Sequence, residues 1–185
     1  MKNTKNSYFS KFQKLGKVLM TPIMILPIVG ILMGIGSAFT SPNVIETMPF
    51  LGGDFLQLFF KILKAMGNTV ISNLPVIFAV SISIGYAKKE KGIAALASII
   101  AFLTMHNVIS TILIGQGTLD PTQLATGQTS VLGIPSLDVG VFGGIMVGLM
   151  VAYLHNKYYN IQLPPLFGVF SGTKFVPMIS ILCSA

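Results

Sequence analysis

Charged side chains are scarce in this sequence: 9% of the residues are charged, whereas 52% are hydrophobic. Soluble domains carry about 25% charged residues, so this chain has too few polar groups to cover its apolar surface in water. The composition therefore excludes an ordinary soluble domain and predicts an integral membrane protein.

Arginine is absent, and the net charge of +7 comes from 12 lysines set against five acidic residues. Without arginine forks or a basic stripe that also carries aromatic residues, these lysines do not indicate a nucleic-acid partner. Membrane topology explains them better, because lysines concentrate in loops on one side of a bilayer. We predict the lipid bilayer as a partner and no nucleic acid.

Cysteine occurs once, at Cys183, which excludes an internal disulfide, and its apolar surroundings predict a buried, unreactive thiol. The chain also lacks a pair of carboxylates within one apolar run, a metal-ligand spacing and a glycine-rich phosphate loop. We therefore predict no catalytic residue, no cofactor and no metal ligand, and nothing supports autonomous catalysis.

The apolar runs predict an all-α, polytopic membrane protein with an interfacial amphipathic helix over residues 1–17. In this helix one face is apolar and another carries lysines that can contact anionic headgroups: Phe9, Phe12, Leu15 and Leu19 against Lys11, Lys14 and Lys17. Four membrane spans are predicted at 18–39, 69–87, 92–115 and 139–155. The last run, 175–185, holds 11 residues, against about 20 for a spanning helix. We expect it to be a truncated fifth span and the chain to be a fragment.

Two segments leave alternatives open. Residues 18–39 follow a basic region and resemble a signal peptide, but a secretory apolar core runs about 7 to 15 residues, so a retained anchor is favoured. Pro22 and Pro27 should kink this helix. Residues 55–66 form a short apolar helix that either lies at the membrane interface or belongs to a longer tilted helix continuing past Gly67.

Lysine positions predict the orientation. If the four spans alternate, ten lysines fall on one side and only Lys61 and Lys64 lie opposite. The lysine-rich side should be the cytoplasm, which places the N-terminus inside.

Glycines spaced by four predict close helix packing: Gly140, Gly144 and Gly148 in the fourth span, and Gly30 and Gly34 in the first. Ordinary packing within the chain and a homodimer interface both explain this spacing.

His106 is the one ionisable residue in the middle of a predicted span, which makes it a candidate for substrate binding. The alternative is a neutral histidine bonded to a neighbouring segment. His155, beside tyrosines at a helix end, is interpreted as an interfacial residue. Asp138 precedes the fourth span and is interpreted as a helix N-cap or a partner of the helix dipole.

Several stretches resemble the membrane component, IIC, of the bacterial phosphoenolpyruvate-dependent sugar phosphotransferase system, in its glucose, maltose and N-acetylglucosamine branch. They are residues 12–20 (FQKLGKVLM), 26–36 (LPIVGILMGIG), 74–85 (LPVIFAVSISIG), 139–145 (VGVFGGI), 155–159 (HNKYY) and 166–177 (LFGVFSGTKFVP). The last three are most like the maltose- and glucose-type members. Two positions depart from the family pattern: Val169 stands where an aromatic is usual, and Lys174 where arginine is common.

The resemblance implies a permease in the bacterial plasma membrane that binds glucose or maltose outside and presents it inside for phosphorylation by a separate IIB domain. The chain would then be a partial IIC permease domain over 1–185 that forms a homodimer and works with IIB and IIA phosphocarrier domains. Family members hold the sugar with histidine and glutamate motifs in their second half, so no sugar-binding residue is assigned here beyond the candidate His106. The chain would be part of a protein-phosphohistidine-sugar phosphotransferase without holding a catalytic or phosphorylated residue.

The motif within 166–177 is the segment where a function is most expected. Its residues of interest are Gly168, Ser171, Gly172, Thr173, Lys174 and Pro177. The glycines permit tight turns and the lysine places a cation at the membrane edge. The segment either contacts IIB, or shapes the inner gate, or is a simple turn with a snorkelling lysine.

Two hypotheses of other classes remain beside the sugar permease. One is a small structural membrane protein that oligomerises through its glycine faces, or a non-functional remnant. The other is an unrelated transporter or channel.

Overall fold

The computed structural model describes residues 2–164, 168 and 171–185, with side chains for residues 9, 10 and those from 13 onward. Leu166, Phe167, Val169 and Phe170 of the last motif, and the side chains of Lys11 and Phe12, lie outside the described residues. The described part is mostly helical and contains α1 (Lys2–Ile23), α2 (Leu26–Phe39), α3 (Pro42–Thr47), α4 (Asp54–Ser72), α5 (Leu74–Tyr86), α6 (Lys91–Gly115), α7 (Gly140–Tyr158) and α8 (Phe175–Ser184). Strands β1 (Gln128–Val131) and β2 (Ile134–Leu137) and short 3-10 helices at Pro49–Gly52 and Gly172–Lys174 complete it.

Proline residues set two of the helix boundaries. The predicted first span is divided at Met24 and Ile25, between Pro22 and Pro27. Each proline lacks the N–H that would close a helical turn, so the helical hydrogen-bond pattern is broken at these two residues, although Gln13–Phe39 still counts as one apolar helical segment.

A third proline acts on the predicted second span. Helix α4 begins at Asp54 and continues past Gly67 to Ser72, and α5 begins at Leu74, just before Pro75. Asn73 closes α4 by donating from its side-chain Nδ2 to the carbonyl of Thr69 at 2.7 Å. The apolar segment at 55–66 is therefore part of a longer helix that continues past Gly67, which is one of the two alternatives predicted from the sequence.

Two helical segments of the described residues are long and apolar enough to cross a membrane: Gln13–Phe39, of 27 residues, and Lys91–Gly115, of 25 residues. Helices α4 and α5 would add a third candidate if they formed one span. Helices α7 and α8 lie at the predicted fourth and fifth spans. The count of four spans and an amphipathic helix stays a prediction.

The chain divides into two compact units. The larger unit comprises Met1–Thr21 and Leu74–Ala185, and the smaller unit comprises Pro22–Asn73. In the larger unit α5 packs against α6 and α7, and α8 packs against the same two helices. Its core is built mostly from small and branched apolar residues: Ala79, Ala97, Ala101, Phe102, Val147, Val151 and Val176. A buried hydrogen bond of 3.1 Å between the hydroxyls of Ser83 and Ser98 links α5 to α6.

The smaller unit is built on α2 packed against α4. Phe39 and Phe60 stack with ring centroids 4.8 Å apart. The side-chain amide of Gln57 donates to the carbonyls of Phe39 (3.0 Å) and Leu51 (2.8 Å), so it ties α4 to the segment that follows α2.

A β-hairpin lies in the polar segment between the predicted third and fourth spans. Strands β1 and β2 are antiparallel, with Val131 opposite Ile134. The two residues between them, Leu132 (φ 51°) and Gly133 (φ 84°), both have positive φ, as a tight hairpin turn requires. Four-residue strands rich in polar residues, one with a proline, give too weak an alternation to be recognised from the sequence.

The prediction of a buried thiol at Cys183 is wrong, because this side chain is exposed. Helix α8 packs through Val176 and Ser180, which are both fully buried. Cys183 lies in the last turn of the helix, beyond these contacts.

Candidate functional site

His106 lies near the middle of α6 and is completely buried. Its Nδ1 is 2.9 Å from the hydroxyl oxygen of Ser136 on β2. The imidazole also meets the edge of Phe102, one turn earlier, with ring centroids 4.6 Å apart. The hairpin thus brings a hydroxyl to the one ionisable side chain within the third predicted span.

The second ring nitrogen of His106, Nε2, is buried and has no hydrogen-bond partner among the described residues. A neutral imidazole has one donor and one acceptor nitrogen, and the Ser136 hydroxyl can serve either tautomer. The Nε2 atom of His106 is therefore left without a hydrogen bond within the pair. That atom can bond a substrate hydroxyl if the site opens, or it is a group that packing has left unsatisfied.

Asp138 follows β2 directly and leads into α7. Its Oδ1 accepts the backbone N–H of Gly140, the first residue of the helix, at 3.0 Å. Gly140 itself has a positive φ of 52°. The carboxylate therefore lies at the N-terminus of α7, where the helix dipole favours negative charge.

The loop between α7 and α8 is closed by two hydrogen bonds across its base. The N–H of Gly172 donates to the carbonyl of Ile161 at 2.7 Å. The N–H of Leu163 donates to the hydroxyl of Ser171 at 3.1 Å. Two residues of the predicted loop motif thus hold the loop ends together.

The remaining motif residues connect this loop to α8. Thr173 and Lys174 form the 3-10 helix with Gly172, and the lysine side chain is exposed. Pro177 lies in the first turn of α8, where its missing N–H would have no helical partner. Gly168 accepts the N–H of Ser171 at 3.1 Å. A functional role for these residues stays a prediction, since the structure shows only their local roles.

Replacing Gly172 by alanine should destabilise this loop, because Gly172 has a φ of 70°. A residue with a Cβ in this left-handed region costs about 1 to 2 kcal/mol. We expect a loss of that size in the free energy of unfolding of the detergent-solubilised protein. Gly168→Ala is the matched control, since Gly168 lies in a 3-10 turn and no described atom lies within 4 Å of its Cβ position. Equal stability of the two variants would contradict this backbone geometry.

The end of α7 holds the short connection between α5 and α6, which the sequence did not indicate. His155 is buried and its Nε2 donates to the carbonyl of Lys89 at 2.8 Å. The neighbouring Asn156 accepts the N–H of Lys88 at 3.0 Å and donates to the carbonyl of Tyr86 at 2.9 Å. His155, interpreted from the sequence as an interfacial residue, is thus a buried structural contact. Its position within the HNKYY stretch (155–159), which resembles the family pattern, was the only sign in the sequence that these residues have a specific role.

Four of the five predicted packing glycines fall into two groups. The fifth, Gly140, has a positive φ, and among the described atoms its Cβ position meets only Asp138 Oδ1, at 3.9 Å, so no neighbouring helix packs against it. A Cβ at Gly144 would clash with the carbonyl oxygen of Pro75, and one at Gly148 would lie 2.7 Å from the carbonyl oxygen of Ala79. Both oxygens belong to α5. At Gly30 and Gly34, in contrast, no described atom lies within 4 Å of the Cβ position.

Two charged groups outside the predicted spans are tuned by their neighbours. The Thr122 hydroxyl, 2.6 Å away, and the Thr122 amide, 2.8 Å away, donate to Asp120 and lower the pKa of its carboxyl. A hydrogen bond with the hydroxyl of Tyr158 raises the pKa of Lys157, and the electrostatic effect of Tyr153 raises it further. The ammonium lies 5.2 Å and 5.7 Å from the ring centroids of Tyr158 and Tyr153, so it also makes cation–π contacts.

Comparison with known proteins identifies the family. The family model "Phosphotransferase system, EIIC" matches residues 16–185. The chain is 38% identical over 177 residues to the "PTS system glucose-specific EIICBA component" of Staphylococcus carnosus (strain TM300). That alignment covers 96% of this chain and 26% of the relative, so the chain spans about a quarter of the length of the curated protein it matches. The chain belongs to the EIIC family of the phosphotransferase system.

Proposed function

We propose that this chain is part of a sugar permease that couples uptake of glucose to its phosphorylation. The observation that carries the proposal is the 38% identity to the glucose-specific EIICBA component over 96% of the chain. Family membership also removes the hypothesis of an unrelated transporter or channel. The sugar is proposed from the printed name of the relative, and maltose is the alternative that the sequence resemblance suggests.

Phosphorylation would be carried out by partner domains. The relative's name joins EIIC to the B and A components, so we propose IIB and IIA phosphocarrier domains as partners. The described residues of this chain hold no group of three or more His, Cys, Asp or Glu side chains that could bind a metal. We propose that the sugar-contacting and phosphoryl-carrying groups belong to the parts of the transporter that correspond to the remainder of the relative.

We propose that the chain is multi-pass in the bacterial plasma membrane, as an interfacial helix over 1–17, four spans and a further helix over 175–185. The N-terminus would be cytoplasmic, which puts the loop between α7 and α8 on the side where IIB acts. Lys174, exposed beside the hydrogen-bonded base of this loop, would contact IIB or the inner gate. Cleavage of an N-terminal tag by protease added to intact cells would contradict this orientation.

We further propose a homodimer in which Gly30 and Gly34 form part of the contact. Both glycines are exposed on α2 and leave open space for another helix. Small residues spaced by four let two backbones approach closely in a membrane.

A chimera tests the transport function directly. Residues 16–185 of this chain would replace the matching segment of the Staphylococcus carnosus protein, expressed in cells that lack other glucose transporters. We expect phosphoenolpyruvate-dependent uptake of labelled glucose, because the two segments belong to one family and should support the same remaining domains. Competition by unlabelled glucose against maltose then tests the choice of sugar.

The control is the relative with the matching segment deleted, which should show no uptake. A chimera that reaches the membrane at the normal level and folds, yet takes up no sugar, would contradict the proposal. That result would favour the structural or non-functional alternative.

A further inference from the structure

A cavity of about 520 Å³ lies between α1 and α5, within the larger unit. Seven residues line it: Lys14, Lys17, Val18, Thr21, Ser81, Ile84 and Gly85. The helices approach closely at its floor, since a Cβ at Gly85 would lie 2.5 Å from the methyl carbons of Val18. The absence of a side chain at Gly85 is therefore what allows α1 and α5 to approach this closely beside the cavity.

The polar lining of the cavity has one sign of charge. Lys14 and Lys17 are one turn apart on α1, and the hydroxyls of Thr21 and Ser81 supply further donors. Within the described part of the chain, no acidic residue lines the cavity. The ammonium of Lys14 lies 4.8 Å from the ring centroid of Tyr86, a contact that orients the lysine. Such a lining suits a phosphate group.

An apolar groove of about 290 Å³ lies beside the cavity, between α5 and α6. Its lining is Val76, Ile77, Val80, Ser81 and Ile99, so Ser81 belongs to both spaces. The groove is lined almost entirely by hydrocarbon. A ligand that fills both spaces would have an anionic head and an apolar tail.

We propose that the cavity and groove together bind one anionic phospholipid, with its phosphate at Lys14 and Lys17 and an acyl chain along α5. The apolar candidate span begins at Gln13, so both lysines lie in its first turns, at the depth of lipid headgroups. Free phosphate shares the headgroup's charge but would leave the groove empty. The inference requires a bilayer around the chain and is independent of sugar transport.

Lipid titration of the purified full chain in detergent, followed by native mass spectrometry, tests the site. We expect one tightly bound 1-palmitoyl-2-oleoyl-phosphatidylglycerol and much weaker binding of phosphatidylcholine with the same acyl chains. Lys14→Gln with Lys17→Gln should weaken phosphatidylglycerol binding about 25-fold, because each lysine near an anionic surface contributes about fivefold in affinity. Ser81→Leu, which fills the junction without changing charge, should also weaken it.

Lys88→Gln with Lys89→Gln is the matched control, since it removes the same charge from exposed lysines outside the cavity. It should bind phosphatidylglycerol within about twofold of the unchanged chain. Equal binding of the two lipids, or an equal loss in both lysine pairs, would overturn the proposal. Displacement of the lipid by free glycerol 3-phosphate, or binding unaffected by Ser81→Leu, would identify an anion site instead. Circular dichroism of each variant establishes that it is folded before binding is measured.

Discussion

Replacing Gly144 by alanine should disturb the packing of α7 against α5 and destabilise the larger unit. A Cβ at this position would clash with the carbonyl oxygen of Pro75 and lie 2.7 Å from its carbonyl carbon. The obstacle is backbone, so no side-chain rotation relieves it and α5 must move. The same helix pair is in close contact one turn later, where Gly148 faces Ala79.

Overpacking of a tight core costs typically about 1 to 3 kcal/mol and occasionally more. Because backbone meets backbone at two successive turns, we expect Gly144→Ala to lower the free energy of unfolding by about 3 kcal/mol. Titration of the micelle-bound protein with sodium dodecyl sulfate, followed by circular dichroism, measures this loss. A variant as stable as the unchanged chain would mean that α5 and α7 do not approach as closely as the structure has them.

Gly16→Ala provides a control with the same chemical change and the opposite expected sign. Gly16 is exposed on α1, and no described atom lies within 4 Å of its Cβ position. Alanine is favoured over glycine in a helix by about 1 kcal/mol, so stability should be equal or slightly higher.

Light scattering on the unchanged protein in the same detergent tests the proposed homodimer. A mass equal to that of the monomer would contradict it.

The two glycine groups show what spacing can and cannot predict. A spacing of four indicates that Gly30, Gly34, Gly144 and Gly148 share helix faces, but it carries no information on what lies opposite. Conversely, Gly36 and Gly67 join α2 and α4, with a Cβ at Gly36 only 2.5 Å from the Lys64 backbone nitrogen. No repeat connects these two glycines, so their role emerges only when the helices are placed together.

The helices were easier to predict than their interruptions. Long apolar runs indicate helix wherever they occur, and α6 covers the predicted third span almost to the residue. Pro22 and Pro27 were recognised as kinks, yet whether a proline bends or ends a helix depends on which groups satisfy the freed carbonyls. Those groups belong to the tertiary structure.

The candidate site depended on a contact distant in sequence. His106 was recognisable as an ionisable residue within an apolar run. Its partner Ser136 was not, since 30 residues separate the two and the hairpin that joins them has a weak sequence pattern. Pairing of this kind is set by the fold around it.

Removing the His106 side chain should cost about 3 kcal/mol of unfolding free energy. His106→Ala would leave a cavity beside Phe102 and strip Ser136 of its buried hydrogen bond. The single replacements His106→Leu and Ser136→Ala should each lower the free energy of unfolding by about 1 to 3 kcal/mol. Each leaves the other partner of the buried hydrogen bond unpaired. The same unfolding titration measures all three variants.

The double variant His106→Leu with Ser136→Ala distinguishes the two roles of the histidine. Replacing both partners by apolar groups of similar shape is close to neutral, so stability should return to within about 1 kcal/mol of the unchanged chain. The His106 side chain is completely buried, and its Nδ1 is held by the hydroxyl of Ser136. We therefore expect the glucose chimera that carries the double variant to retain uptake. Restored stability without uptake would instead assign the free Nε2 of His106 to the sugar.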